Sequence, residues 1–275
     1  MRIAILTTLA LIAFAANSIL CRLALDGETI DPATFTSIRL LSGALALLLI
    51  LGLRRQSIEG NWGSALALTF YALPFSFAYV TLAAGTGALI LFASVQITMI
   101  AAGLVAGERL ASHQWVGIAI AFGGLVWLVS PGLRAPSPAG SALMAIAGIA
   151  WGFYSLRGRG SGQAIAATGG NFLRTAPFAI LLVIAFLPTI HITPRGIALA
   201  VISGAIASAL GYVIWYSALP HLSATGAATV QLSVPLLAAA GGVVLLSEPL
   251  TPRLIVAAGL ILGGLALEKA EGNSR

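Results

Sequence analysis

The chain has 275 residues, of which 59% are hydrophobic and 8% charged, and its mean hydropathy is +1.02. A soluble domain gives roughly 25% of its residues to charge, so this chain lacks the polar surface to stay in water and cannot hide its apolar stretches in one core. The net charge of +6 comes from fourteen basic residues placed singly or in pairs at the ends of apolar stretches, which excludes the dense basic face that a nucleic-acid backbone requires.

An apolar helix needs about 20 residues to cross roughly 30 Å of hydrocarbon. The first stretch, 3–21, follows Arg2 and contains Ala13, Ala15 and Ala16 in the outline of a secretory leader. Its apolar run continues past the alanines and further apolar stretches follow at once, so it reads as a retained first span, with Asn17 inside it. The second span, 33–53, carries Arg39. The third, 62–82, repeats aromatics at four-residue spacing as Tyr71, Phe75 and Tyr79, with Pro74 between them. Gln96 lies well inside the fourth, 85–106, and Glu108 precedes the fifth, 113–130.

A turn rich in proline and glycine, 130–138, separates these from five more. Span six, 139–156, holds Trp151 and Tyr154; span seven, 164–187, holds Asn171 and Arg174; span eight, 195–217, puts Tyr212, Trp215 and Tyr216 on one face. Span nine, 223–246, contains Gln231 and Pro235, and Glu248 precedes span ten, 251–268. The expected fold is therefore an all-α integral membrane protein of ten transmembrane helices.

An offset of 140 residues pairs Glu108 with Glu248, Leu110 with Leu250, and Gly123-Gly124-Leu125 with Gly263-Gly264-Leu265. One offset matching an acidic residue and a glycine pair a helix later points to a duplicated unit, 1–134 and 135–275. Because each unit has five spans, the second enters the membrane inverted, the arrangement that underlies many alternating-access carriers. With the N-terminus inside, Arg2, Arg54, Arg55, Arg109, Arg157, Arg159, Lys269 and Arg275 fall in cytoplasmic connections, against Arg22, Arg134, Arg195 and Arg253 outside. That bias places both termini in the cytoplasm.

Several residues stand out as candidates for solute contact. An arginine within a bilayer must snorkel, pair or face water, so Arg39 and Arg174 serve either as headgroup or helix clamps or as contacts for a polar or anionic solute. Amides in hydrocarbon must point inward to partners, which sets Asn17, Asn171, Gln96 and Gln231 toward other helices or toward a cavity. Tyr79, Trp151, Tyr154, Trp215 and Tyr216 suit either a cavity wall, an apolar core or, for Tyr79 and Tyr216 near span ends, interfacial anchoring. Glu108 and Glu248 sit beside turns, where a carboxylate stays hydrated and caps or tethers the next helix, so they read as structural, and Pro235 as a bend.

No catalytic residues emerge. There is no serine, histidine and carboxylate set and no Walker-type loop, Cys21 is the sole cysteine, and His113, His191 and His221 have no metal-ligand spacing, so neither enzyme activity nor a metal or other cofactor is expected.

Ten spans, the five-helix duplication and a Glu-x-Leu element before spans five and ten resemble the EamA family of the drug/metabolite transporter superfamily. The likeness is clearest over Ala224 to Gly264, including Ser233-Val234-Pro235 and Ser247-Glu248-Pro249-Leu250, with Gly107-Glu108-Arg109-Leu110 in the first unit. Val95 stands where the second unit has Pro235, a departure from a symmetric bend. Arg39 and Arg174 match an arginine in the second helix of each unit, and Ala13 to Ser18 and Ala150 to Tyr154 match the units' first helices. The resemblance implies a carrier in a bacterial plasma (inner) membrane that exports or exchanges amino acids or related metabolites. The expected partners are a small-molecule metabolite or drug-like solute and membrane lipids, with self-association as a further option; nucleic acid is not among them. The other class left open is a non-transporting scaffold or lipid-modifying accessory protein.

Overall fold

The computed structural model describes residues 2–105, 107, 111–132, 135–158, 163–222, 230–231 and 233–269. The helices in chain order are α1 (Arg2–Asp26), α2 (Pro32–Arg54), α3 (Trp62–Tyr79), α4 (Ala84–Val105), α5 (Ser112–Val129), α6 (Pro138–Gly158), α7 (Ala164–Ala185), α8 (Pro194–His221), α9 (Ser233–Leu246) and α10 (Pro252–Lys269). Among the described residues, seven are long and apolar enough to cross a membrane, and α3, α9 and the Pro252–Gly264 part of α10 are apolar helices outside that set. The expected Glu108, with Arg109, Arg134 and the first part of span nine, lies outside the described residues.

The burial pattern is the reverse of a soluble domain's. Leu53, Val105 and Val244 are 87%, 91% and 79% exposed, while Arg39, Asn17, Gln96 and Gln231 are buried. Side chains that water would strip from an aqueous surface face outward, and those that hydrocarbon cannot solvate face inward. The chain is thus an all-α, multi-pass membrane protein.

Helix ends follow local chemistry. Asp31 caps α2, accepting from Thr34 N at 2.8 Å, with Pro32 in the first turn, where its missing N–H goes unused. Asn61 caps α3 by accepting from Ser64 N at 2.9 Å. α1 runs past the expected end at residue 21 because Arg22 and Asp26, one turn apart, pair at 2.6 Å and continue the helix; Arg22 therefore sits on a helix and not in a connection.

Two connections dock at opposite ends of α2. Residues 190–193 bind 29–31 through the isolated bridge of Ile30 with Ile192, Asp31 N to His191 O at 2.9 Å and Thr193 N to Thr29 O at 2.9 Å. Residues 59–61 bind the start of α7 through Glu59 N to Ala166 O at 3.2 Å and Asn61 N to Asn171 Oδ1 at 3.0 Å. These are called here the Asp31 end and the Asn61 end.

Helix packing centres on α1, α2, α3, α6 and α8, with α4 and α9 alongside and α5 packed on α10. Close approach of the last pair uses Gly124 and Gly264: a methyl on Gly124 would lie 2.7 Å from Leu260 Cβ, and one on Gly264 would lie 2.6 Å from Ala121 N. In α8 the stretch Ile202–Leu210 is π-helical, a widened register that apolar composition does not announce.

Candidate functional site

At the centre of the bundle, α1, α2, α3 and α8 bring together one buried charge and a set of neutral polar groups. Arg39 of α2 is 1% exposed. Its Nε donates to Ser208 Oγ at 3.0 Å, and its Nη2 donates to the hydroxyls of Tyr71 at 3.0 Å and Tyr212 at 3.1 Å. The guanidinium carbon lies 5.1 Å from the Tyr71 ring centroid and 4.8 Å from that of Phe75, within cation–π range. Nη1 has no hydrogen-bond partner among the described residues.

Asn17 of α1 completes the network. Its Nδ2 donates to Tyr71 OH at 3.2 Å, and its Oδ1 accepts from Ser203 Oγ at 2.5 Å and Ser208 Oγ at 3.4 Å. Ser203 and Ser208 both belong to the π-helical part of α8, so the widened register lies where α8 meets the polar residues of α1 and α2.

Aromatic rings surround this network. Trp151 of α6 lies 4.9 Å from Tyr71 and 4.7 Å from Tyr212, and Phe14 packs edge-on against Trp151, Tyr212 and Trp215 at 5.6, 5.9 and 5.7 Å. Such edge-on and tilted pairs suit the ring quadrupole. The cavity between Phe14, Asn17, Tyr71, Phe75, Trp151 and Tyr212 measures about 10 Å³. That is the volume needed for about one water, so the centre is closed in this conformation.

Of the expected contacts, Asn17, Arg39, Trp151, Tyr154, Trp215 and Tyr216 join one connected cluster, and Tyr79 joins its edge through Phe75 at 4.8 Å. Tyr154 lies 5.6 Å from Trp151 and 5.8 Å from Tyr216, whose hydroxyl donates to Tyr154 O at 3.3 Å. Burial overturns headgroup snorkelling for Arg39 and interfacial anchoring for Tyr79 and Tyr216. All three are buried, although Tyr79 and Tyr216 are near span ends in sequence. Gln96 and Gln231 are buried, on α4 and just before α9. Pro235 borders a separate apolar cavity of about 410 Å³ with Gly85, Leu89 and Ala239.

Arg174 does not reach the centre. Its Nη1 donates at 2.8 Å to both Glu59 O and Gly170 O, tying the 55–61 connection to α7 at the Asn61 end. Arg157 adds to that tie by donating to Asn61 Oδ1 at 3.2 Å and Ser64 Oγ at 3.3 Å. At the Asp31 end, Glu248 accepts from Ala84 N with both oxygens, at 3.0 and 2.9 Å, and from Arg22 Nε at 3.2 Å. It therefore holds the N-terminus of α4, not of the following helix α10, where a negative charge meets the unpaired first amides of a helix. Arg22 Nη1 also donates to Tyr79 O at 3.1 Å.

Sequence reasoning missed Ser203, Ser208 and Phe14, and the Arg22 and Arg157 clamps. A serine or phenylalanine in an apolar run carries no signal by itself, and the clamps join residues 57 to 226 positions apart.

The chain as a whole has relatives among known proteins. The EamA-like transporter family matches residues 1–130 and again 138–267. The chain belongs to the EamA-like transporter family. Members of this family transport small molecules and are not enzymes. An uncharacterized protein of Pseudomonas aeruginosa is 52% identical to this transporter over 269 residues, 97% of this chain and 94% of its own. The uncharacterized transporter YwfM of Bacillus subtilis is 26% identical over 90% of this chain and 87% of its own. A crystal structure with 21% sequence identity matches at a TM-score of 0.67 over 95% of this chain and 98% of that one, a likeness of overall fold.

Proposed function

We propose that this transporter exports or exchanges amino acids or related small metabolites by alternating access in a bacterial plasma membrane, with both termini cytoplasmic. The observation that carries the reading is the central cluster: a buried, charged and amide-bearing network walled by aromatic rings. Such a centre can orient a small amphipathic solute by hydrogen bonds at one side and ring contacts at the other. Asn17, Arg39, Trp151, Tyr154, Trp215 and Tyr216 are its proposed contacts, with Tyr79, Gln96 and Gln231 admitted as the helices separate. Arg174, Glu248 and, by its matching position in sequence, Glu108 act on helix ends.

The proposed architecture is ten spans in two inverted units, 1–134 and 135–275. Three observations support it. The family matches twice, over 1–130 and 138–267. Exchanging each helix with its counterpart five places on maps the main packing pairs onto one another, since α3 meets α6 as α8 meets α1, and α4 meets α6 as α9 meets α1. Gly124 and Gly264, 140 residues apart, make reciprocal close contacts between α5 and α10. On this reading the Arg22–Glu248–Ala84 tie closes one face and the Arg157–Asn61–Asn171 tie the other, and one must open while the other holds.

The test is uptake by vesicles containing the purified protein, preloaded with a mixture of amino acids and challenged with each in labelled form, then with nucleobases. Saturable exchange above protein-free vesicles is the expected result. Its absence for every solute, together with altered lipid composition in cells lacking the protein, would favour the scaffold or lipid-modifying accessory role.

A further inference from the structure

A guanidinium stays charged at any accessible pH and is costly to hold out of water without a compensating partner. Arg39 is held out of water, at 1% exposure. Three of its five N–H groups meet neutral hydroxyls, those of Ser208, Tyr71 and Tyr212. The two on Nη1 meet nothing among the described residues. The ion pairs among those residues, Arg22 with Asp26 and Arg22 with Glu248, leave Arg39 without a carboxylate. Hydroxyls and ring faces solvate a cation but do not neutralise it.

We infer that Arg39 is the anchor for a carboxylate on the transported solute, so that the carrier selects carboxylate-bearing compounds with an apolar body and does not require a positive charge on them. This rests on the carrier reading above and specifies its substrate. Charge balance sets the class: the network holds one cation, which one carboxylate offsets, whereas a phosphate dianion would bring surplus charge among aromatic walls. Hydrogen bonding agrees with it. The Tyr71 and Tyr212 hydroxyls hold Nη2, which leaves the two N–H groups of Nη1 as charged donors for an anion. Phe14, Trp151 and Trp215 supply the surface for the apolar body. A cationic solute would meet Arg39 with no acid in the cluster to offset the repulsion.

The experiment measures equilibrium binding to the full-length protein in nanodiscs by tryptophan fluorescence, using 3-phenylpropanoate and its uncharged amide. Wild type should bind the acid at least tenfold more tightly than the amide. Arg39→Gln should erase the difference, Arg39→Lys should retain part of it, and Tyr212→Phe, which removes one acceptor that holds Nη2, should weaken the acid several-fold more than the amide. Equal binding of the two probes by wild type, binding of neither, or a preference that persists in Arg39→Gln overturns the inference. If Arg39→Gln does not fold, the wild-type comparison and Tyr212→Phe decide. A clear acid preference with no saturable flux of any solute in vesicles would leave the anchor in place and remove the carrier reading.

Discussion

Single side chains in the apolar bundle have effects set by what their loss leaves unpaired. Ser208→Ala would strip Arg39 Nε of its acceptor and Asn17 Oδ1 of one donor. A buried donor left without a partner costs about 1–3 kcal/mol and a charged one more, so the variant should unfold at a lower temperature in detergent and lose exchange activity; unchanged melting would mean the hydroxyl is not needed. Glu248→Gln keeps an oxygen for Ala84 N but loses the ion pair with Arg22 and the charge at the start of α4. At side-chain exposures of 14% and 16% the pair is only partly screened, so the cost should be about 1 kcal/mol. It should appear as less folded protein at the membrane with an unaltered pH profile of transport; normal abundance with a lost pH response would reassign Glu248 to proton coupling. Asn17 was legible as an inward residue because an amide in an apolar run needs a partner, whereas a lone arginine such as Arg39 reads equally as a headgroup anchor until the fold shows it buried. Ser203 and Ser208 were not, because a membrane helix accommodates a serine by bonding it to its own backbone, and only the fold shows that these two face Asn17.

Apolar helices announce themselves by length, whereas their register and ends depend on neighbours. The expected cut after residue 21 treated Arg22 as a boundary; paired with Asp26 and Glu248 it extends α1 instead. In α8 the π-helical turn is equally silent in sequence, since Ile202–Leu210 is composed like any other apolar stretch. Its effect on α2 is open to test at Gly204. A methyl there would run into Arg39 O and Ser42 Oγ, because the backbones of α2 and α8 approach each other closely at that point. Gly204→Ala should therefore destabilise the protein by about 1–3 kcal/mol and displace the Arg39 turn, read as a lower melting temperature and lost exchange. Gly52→Ala, on α2 with nothing within 4 Å of the added atom, is the matched control and should be neutral or stabilising by about 0.4–1 kcal/mol. If the two variants melt alike, close packing of α2 on α8 does not hold the site.

For the whole molecule, the 140-residue offset gave the sequence its strongest statement, a duplicated unit, but orientation in a membrane is a property of the assembled bundle and its lipid. The two connections that occupy the same place in each proposed unit offer a direct measurement. Residues 55–61 follow the second helix and dock on α7 through Asn171 and Arg174. Residues 186–193 follow the seventh helix and dock at the start of α2 through Asp31 and Thr29. The 23 residues of α2 lie between these docking points, about 34 Å at 1.5 Å per residue, which spans the hydrocarbon of a bilayer. If the units are inverted, counterpart connections must lie on opposite faces, because an odd number of crossings separates them. Ser57 and Thr189 are both exposed in these connections, and the native Cys21 is buried. In a Cys21→Ala background, a membrane-impermeant maleimide added to intact cells should label Thr189→Cys and leave Ser57→Cys unlabelled until the membrane is opened. Labelling of both from one side would make the units parallel, with an even number of crossings between them, and would remove the structural basis for exchange of inward- and outward-facing roles. The reverse pattern would keep the inversion and move both termini to the outside.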